Sequence, residues 1–165
     1  MKHLPEVDMT IYFAMAAAMV LVDQLIKLWA VKALAPIHTM SVIDGVFSLT
    51  YVENTGASFS ILKGRQEVLI AVTVVAFFLF AFMLKSHMIK GRLGYTAVSF
   101  IAGGALGNFI DRVRLGYVID MFQLKFIEFP VFNFADLCIT AGAVLFIIMI
   151  YNDSVSEGQG VENGR

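Results

Sequence analysis

Four apolar stretches, each long enough to cross a bilayer as a helix, take up most of this 165-residue chain and leave few folds open to it. A helix rises about 1.5 Å per residue, so a hydrocarbon core ~30 Å thick needs about 20 largely apolar residues. Residues 68–84 (VLIAVTVVAFFLFAFML) contain no charge and form the clearest span. Residues 93–110 are also uncharged and carry Gly94, Gly103, Gly104 and Gly107, small residues that let helices approach closely in lipid. The first span, about residues 9–31, holds Asp23 and Lys27 one helical turn apart, so the two share a face. The fourth, about residues 133–151, is interrupted by Asp136 near its start.

Composition agrees: 59% hydrophobic and 15% charged residues lie outside the range of soluble domains. The expected fold is an all-α integral membrane protein, four transmembrane helices in one domain over residues 1–151. The polar, acidic tail at 152–165 (NDSVSEGQGVENGR) is expected to be disordered. A cleavable signal peptide is the rival reading of the N-terminus, since Lys2 and His3 precede an apolar run and Ala33-Leu34-Ala35 resembles a cleavage site. Asp23, Lys27 and Lys32 interrupt the way to that site, so the span is expected to stay. Lys85, Lys90 and Arg92, crowded into one short link, favour cytoplasmic termini by density. Raw totals do not decide it, because the opposite loops hold Lys32, Lys63, Arg65, Arg112, Arg114 and Lys125.

Several function classes fall away. The net charge of −1 and the lack of a basic patch argue against a nucleic-acid partner. His3, His38 and His87 are scattered without ligand spacing, so no metal and no cofactor is expected. Cys138 is alone, so an intramolecular disulfide is excluded.

The first and third loops of a four-span protein emerge on the same side, and the unusual polar segments belong to them. Asn54 lies in YVENTGASFS, the third span ends in GGALGNFIDR, Asp120 lies in GYVIDMF, and the fourth span opens with FPVFNFAD. Gly104, Asn108, Asp111 and Arg112 recur at helical spacing, as do Asn133 and Asp136. Residues 42–52 and 118–126 read as two short strands, a small extracytoplasmic β element over the mouth of the bundle.

Two acids beside a membrane boundary are costly to keep, and Asp120 with Asp136 could share one proton, as the carboxylates of an aspartic protease do. Each polar island also has a plain structural reading. Asp111 and Arg112 could be an ion pair or a helix-end cap, Asn54-Thr55-Gly56 an ordinary turn, Asp23 with Lys27 a structural pair, and Asp136 a cap. A proton-coupled transport subunit is the rival from another class, but it calls for acids near mid-bilayer or internal repeats. A purely structural membrane partner leaves the polar islands without cause.

These segments together resemble the bacterial lipoprotein signal peptidases, also called signal peptidase II. The resemblance runs from Asp23 to about Ala143 and rests on DQLIK at Asp23, NTGASFS at Asn54, GGALGNFIDR, GYVID and FNFAD, five motifs in order among four spans. Ile26 stands where a hydroxyl residue is common, and Met121 where the family often has Phe. The resemblance implies a metal-independent aspartic endopeptidase of the inner membrane with Asp120 and Asp136 as its catalytic pair. It implies that Asn54, Gly104, Asn108, Arg112 and Asn133 bind substrate or support the pair, and that Asp23, Lys27 and Asp111 are structural. The implied substrate is a lipid-modified prolipoprotein met among membrane lipids, cut before its diacylglyceryl cysteine on the extracytoplasmic side. A monomer is expected.

Overall fold

The computed structural model describes residues 8–56 and 62–162. Lys2 and His3, residues 57–60 of the NTGASFS segment, and the last three residues of the tail lie outside them. Among the described residues, four helices are long and apolar enough to cross a membrane. They are α1 (Met9–Ala33), α2 (Gln66–Lys85), α3 (Gly91–Leu115) and α4 (Phe134–Glu162). Three strands join them: β1 (Thr39–Ile43) and β2 (Phe47–Asn54) between α1 and α2, and β3 (Val118–Leu124) between α3 and α4.

The helix ends follow local chemistry. Asp8 caps α1 by accepting from the Thr10 amide at 3.0 Å. Gly116 stops α3 in the left-handed conformation, φ 79°, which turns the chain into β3.

The glycines of α3 are what lets it lie between α1 and α4. A Cβ on Gly104 would collide with the carbonyl oxygen of Ala135 and come within 2.8 Å of Ile139 Cγ1. One on Gly107 would lie 2.5 Å from Asp23 Oδ2. One on Gly103 would lie 3.0 Å from the carbonyl oxygen of Ala16, so α1 and α4 both touch α3 nearly backbone to backbone, the packing that small residues permit in lipid.

The β element departs from the expected pair of strands. Residues 42–52 are not one strand, because Asp44-Gly45 breaks them into a hairpin, with Gly45 at φ 73°. An Asp-Gly step takes positive φ readily and folds the chain back on itself. The sheet runs β1-β2-β3, antiparallel throughout, with Asp120 opposite Val52 and Val118 opposite Asn54. Its inner face packs on the end of α1, where Ala30 and Leu34 meet Ile119 and Met121.

The tail also differs. Helix α4 continues through Glu162, where composition pointed to disorder. Extending a helix already nucleated by an apolar span adds one hydrogen bond for each residue fixed, so polar residues can follow. Asp153, on this extension, pairs with Lys90 at 3.2 Å.

The α3–α4 approach makes a specific prediction. Gly104→Leu should lower the apparent unfolding midpoint in detergent, corresponding to a loss of about 1–3 kcal/mol from overpacking. Gly45→Asn, in a turn with nothing within 4 Å of its Cβ position, should shift the midpoint far less. Equal midpoints for the two variants would refute the packing account.

Candidate active site

Strand β3 brings the polar residues of separate helices together. On one side it pairs with β2, which places Asn54 beside it. On the other, Phe132 forms a bridge with Phe122, donating its amide to the Phe122 carbonyl at 3.0 Å. This bridge, packed by the rings of Phe122, Phe129 and Phe132 at centroid distances of 5.7 and 5.8 Å, brings the chain from β3 straight to the start of α4. Asp120 and Asp136 then line the same cavity, about 450 Å³ in volume.

A chain of amides connects the two acids. Asn133 Nδ2 donates to Asp120 Oδ1 at 2.6 Å and to Asn108 Oδ1 at 3.0 Å. Asn108 Nδ2 in turn donates to Asp136 Oδ1 at 2.8 Å. Asn54 Nδ2 reaches the other oxygen of Asp120 at 2.9 Å. Asn54 also forms a local turn, its Oδ1 accepting from the Gly56 amide at 2.9 Å. The turn reading and the site reading of Asn54 therefore both hold.

The same is true of Asp136. Its amide donates to Asn133 Oδ1 at 2.9 Å, and its Oδ2 accepts from the Asn133 amide at 3.1 Å, a reciprocal cap that opens α4. Asp136 caps with one oxygen while the other faces Asn108. A carboxylate there also meets the positive end of the α4 dipole.

Asp120 is in a harder place. It is 1% exposed, and burial followed by the nearby charge of Asp136 pushes its pKa up to about 7. The amides of Asn54 and Asn133 and the charge of Lys27 pull the other way without overcoming this. In this environment Asp120 holds a proton at pH values where an ordinary carboxyl has lost it.

Asp111 does not pair with Arg112, although the two adjoin in sequence. It turns to Lys27, Nζ to Oδ2 at 2.9 Å, and accepts from the Ile119 amide at 3.2 Å. Asp23 completes the cluster, 2.9 Å from the same ammonium, and accepts from the Ala135 amide at 3.0 Å. This ties α1, α3, β3 and α4 together. Arg112 points into the cavity and donates to the Gly56 carbonyl at 3.4 Å, while its Nε has no partner among the described residues. Gly104 does not line the cavity; it supports the site by letting α4 come close.

Gln24, inside the DQLIK motif, joins the cluster without having been among the expected site residues. Its Nε2 donates to Asp111 Oδ1 at 3.0 Å and to the Gly107 carbonyl at 3.2 Å. An amide next to a buried acid was the available signal. The described residues contain no group of three or more His, Cys, Asp or Glu side chains arranged to hold a metal ion.

A bundle of membrane-length helices with two acids lining one cavity defines the class, a multi-pass membrane protein with an acidic site. The chain belongs to the signal peptidase (SPase) II family, whose model matches residues 15–152. It is 41% identical to the lipoprotein signal peptidase of Lactiplantibacillus plantarum over 150 residues, covering 90% of this chain and 99% of that one. It is 36% identical to the lipoprotein signal peptidase of Enterococcus faecalis, covering 94% and 96% of the two chains. A bacterial membrane enzyme solved by the in meso method at 2.3 Å resolution superposes with a TM-score of 0.79 at 28% identity, over 88% of this chain and 90% of that one.

The raised pKa of Asp120 makes stability depend on pH. Between about pH 4 and pH 7 the folded protein keeps a proton on Asp120 that the unfolded chain has released. Stability gained from this proton is present at the acid end of the window and is lost as pH rises to 7. Asp120→Asn should flatten that slope in thermal unfolding measured across pH, and an unchanged slope would refute the assignment.

Proposed function

We propose that this protein is an aspartic endopeptidase that removes the signal peptide from diacylglyceryl-modified prolipoproteins, cutting immediately before the lipidated cysteine. The observation that carries the reading is the shared cavity of Asp120 and Asp136, with amide donors on both acids. Membership of the signal peptidase II family supports the substrate class.

The two acids divide the work by environment. Asp120, buried and with a raised pKa, keeps the proton. Asp136, at the start of α4 with a donor on each oxygen, carries the charge. In the first step Asp136 takes a proton from a water molecule as its oxygen attacks the scissile carbonyl carbon. Asp120 gives its proton to the carbonyl oxygen, so a neutral tetrahedral diol forms. In the second step Asp136 passes its proton to the leaving nitrogen as the C–N bond breaks, and Asp120 recovers a proton from a diol hydroxyl. The products are the signal peptide's new carboxyl end and the free amino group of the lipidated cysteine.

Arg112 and Asn54 line the cavity, where an extended backbone could lie against their side chains. An extended peptide exposes the carbonyl that a helical one hides. The remaining wall is apolar and aromatic, including Phe129, Pro130 and Phe132, and suits a substrate that is half lipid. We place the protein in the bacterial cytoplasmic membrane with cytoplasmic termini, on the density of cations in the link between α2 and α3. The cavity then opens on the extracytoplasmic side, and the enzyme acts as a monomer.

Purified Asp120→Asn and Asp136→Asn should each lose at least about 1,000-fold in cleavage of a lipidated precursor while remaining inserted. Chelators should leave the wild-type rate unchanged. Processing by either variant at the wild-type rate would exclude the carboxylate pair.

A further inference from the structure

Lys27 is a cation inside the bundle, 1% exposed, to which the proposed hydrolysis gives no task. A buried ammonium is costly unless its three hydrogens find acceptors. Two of them meet Asp23 and Asp111, each at 2.9 Å. Those carboxylates already exceed its charge, so charge balance does not account for the third bond. That bond goes to Asn108 Oδ1, at 2.9 Å.

Amide geometry gives the third bond its consequence. Asn108 Oδ1 also accepts from Asn133 Nδ2 at 3.0 Å, so it faces two donors. If the amide were flipped, its NH2 group would face an ammonium and a second NH2 group, and both bonds would be lost. The Asn108 amide is thereby locked with Nδ2 toward Asp136 Oδ1, 2.8 Å away.

We infer that Lys27 is a positioning residue for peptide cleavage: acting through Asn108, it fixes an amide donor on Asp136 and keeps that acid the ionised member of the pair. The inference rests on the carboxylate-pair reading proposed above. The other charged groups packed around this chain are Asp23 on α1, Asp111 and Arg112 on α3, and Asp120 on β3. Asp23 and Asp111 oppose negative charge at Asp136, whereas Arg112 favours it from the cavity side.

The test measures kcat and KM against pH for wild type, Lys27→Met, the double variant Lys27→Met/Asp111→Asn and Asp136→Asn, all purified in detergent with a lipidated precursor. The double variant removes one positive and one negative charge, leaving the net charge of the cluster unchanged while deleting the bond to Asn108. Lys27→Met should lose about tenfold in kcat with little change in KM. Its acid limb should move to higher pH by about one unit, because negative charge at the pair becomes harder to hold. The double variant should show the same upward shift, and it decides the matter if Lys27→Met does not fold. A cluster that merely braces the helices would lower the yield of folded protein and leave both acid limbs in place, which would overturn the inference. Activity in Asp136→Asn would instead sink the carboxylate-pair reading, and this inference with it.

Discussion

Asn133 grips both acids at once, donating to Asp120 from its side chain at 2.6 Å and exchanging backbone and side-chain bonds with Asp136 across the first turn of α4. The rest of the site is arranged around this bond set. Asn133 is wholly buried, so its position is fixed by packing as well as by hydrogen bonds. It has one neighbour on β3, one on α3 and one on α4, which is why elements distant in sequence meet at one cavity. In such a place an unpaired amide or carboxylate is expensive, and the network leaves few polar atoms without partners.

The helices beneath are organised by a second polar knot. Lys27, Asp23, Asp111 and Gln24 lie where lipid-facing charge would not be tolerated, and they turn inward to satisfy one another. Glycines on α3 let α1 and α4 come near enough for these short side chains to reach. The two features need each other: without close approach the acids would lack their partners, and without the partners the charges could not stay buried. The site is therefore built upon a base whose polar groups are bonded to one another.

Much of this was legible in the sequence, and what was not has physical causes. The spans could be read because a run such as residues 68–84 has only one stable state in lipid. The convergence of Asn54, Asn108, Asp120, Asn133 and Asp136 could be read because loops one and three share a side. The hairpin at Asp44-Gly45 was obscured by the β-branched residues around it, although the Asp-Gly step was present. The partner of Asp111 could not be read at all. Sequence adjacency offered Arg112, but successive residues on a helix point about 100° apart, and Asp111 faces α1 while Arg112 faces the cavity. The double duty of Asp136 was hidden too, since a helix cap and a cavity-lining carboxylate look alike until each oxygen is seen with its own donor.

Unequal protonation of the two acids is the central claim, and infrared spectroscopy of the reconstituted protein reads it directly. At a pH near 6 the wild type should show a protonated carboxyl C=O stretch that disappears in Asp120→Asn and disappears from the wild type as the pH is raised above about 7. A spectrum without that band near pH 6, or a band that survives in Asp120→Asn, would contradict the account.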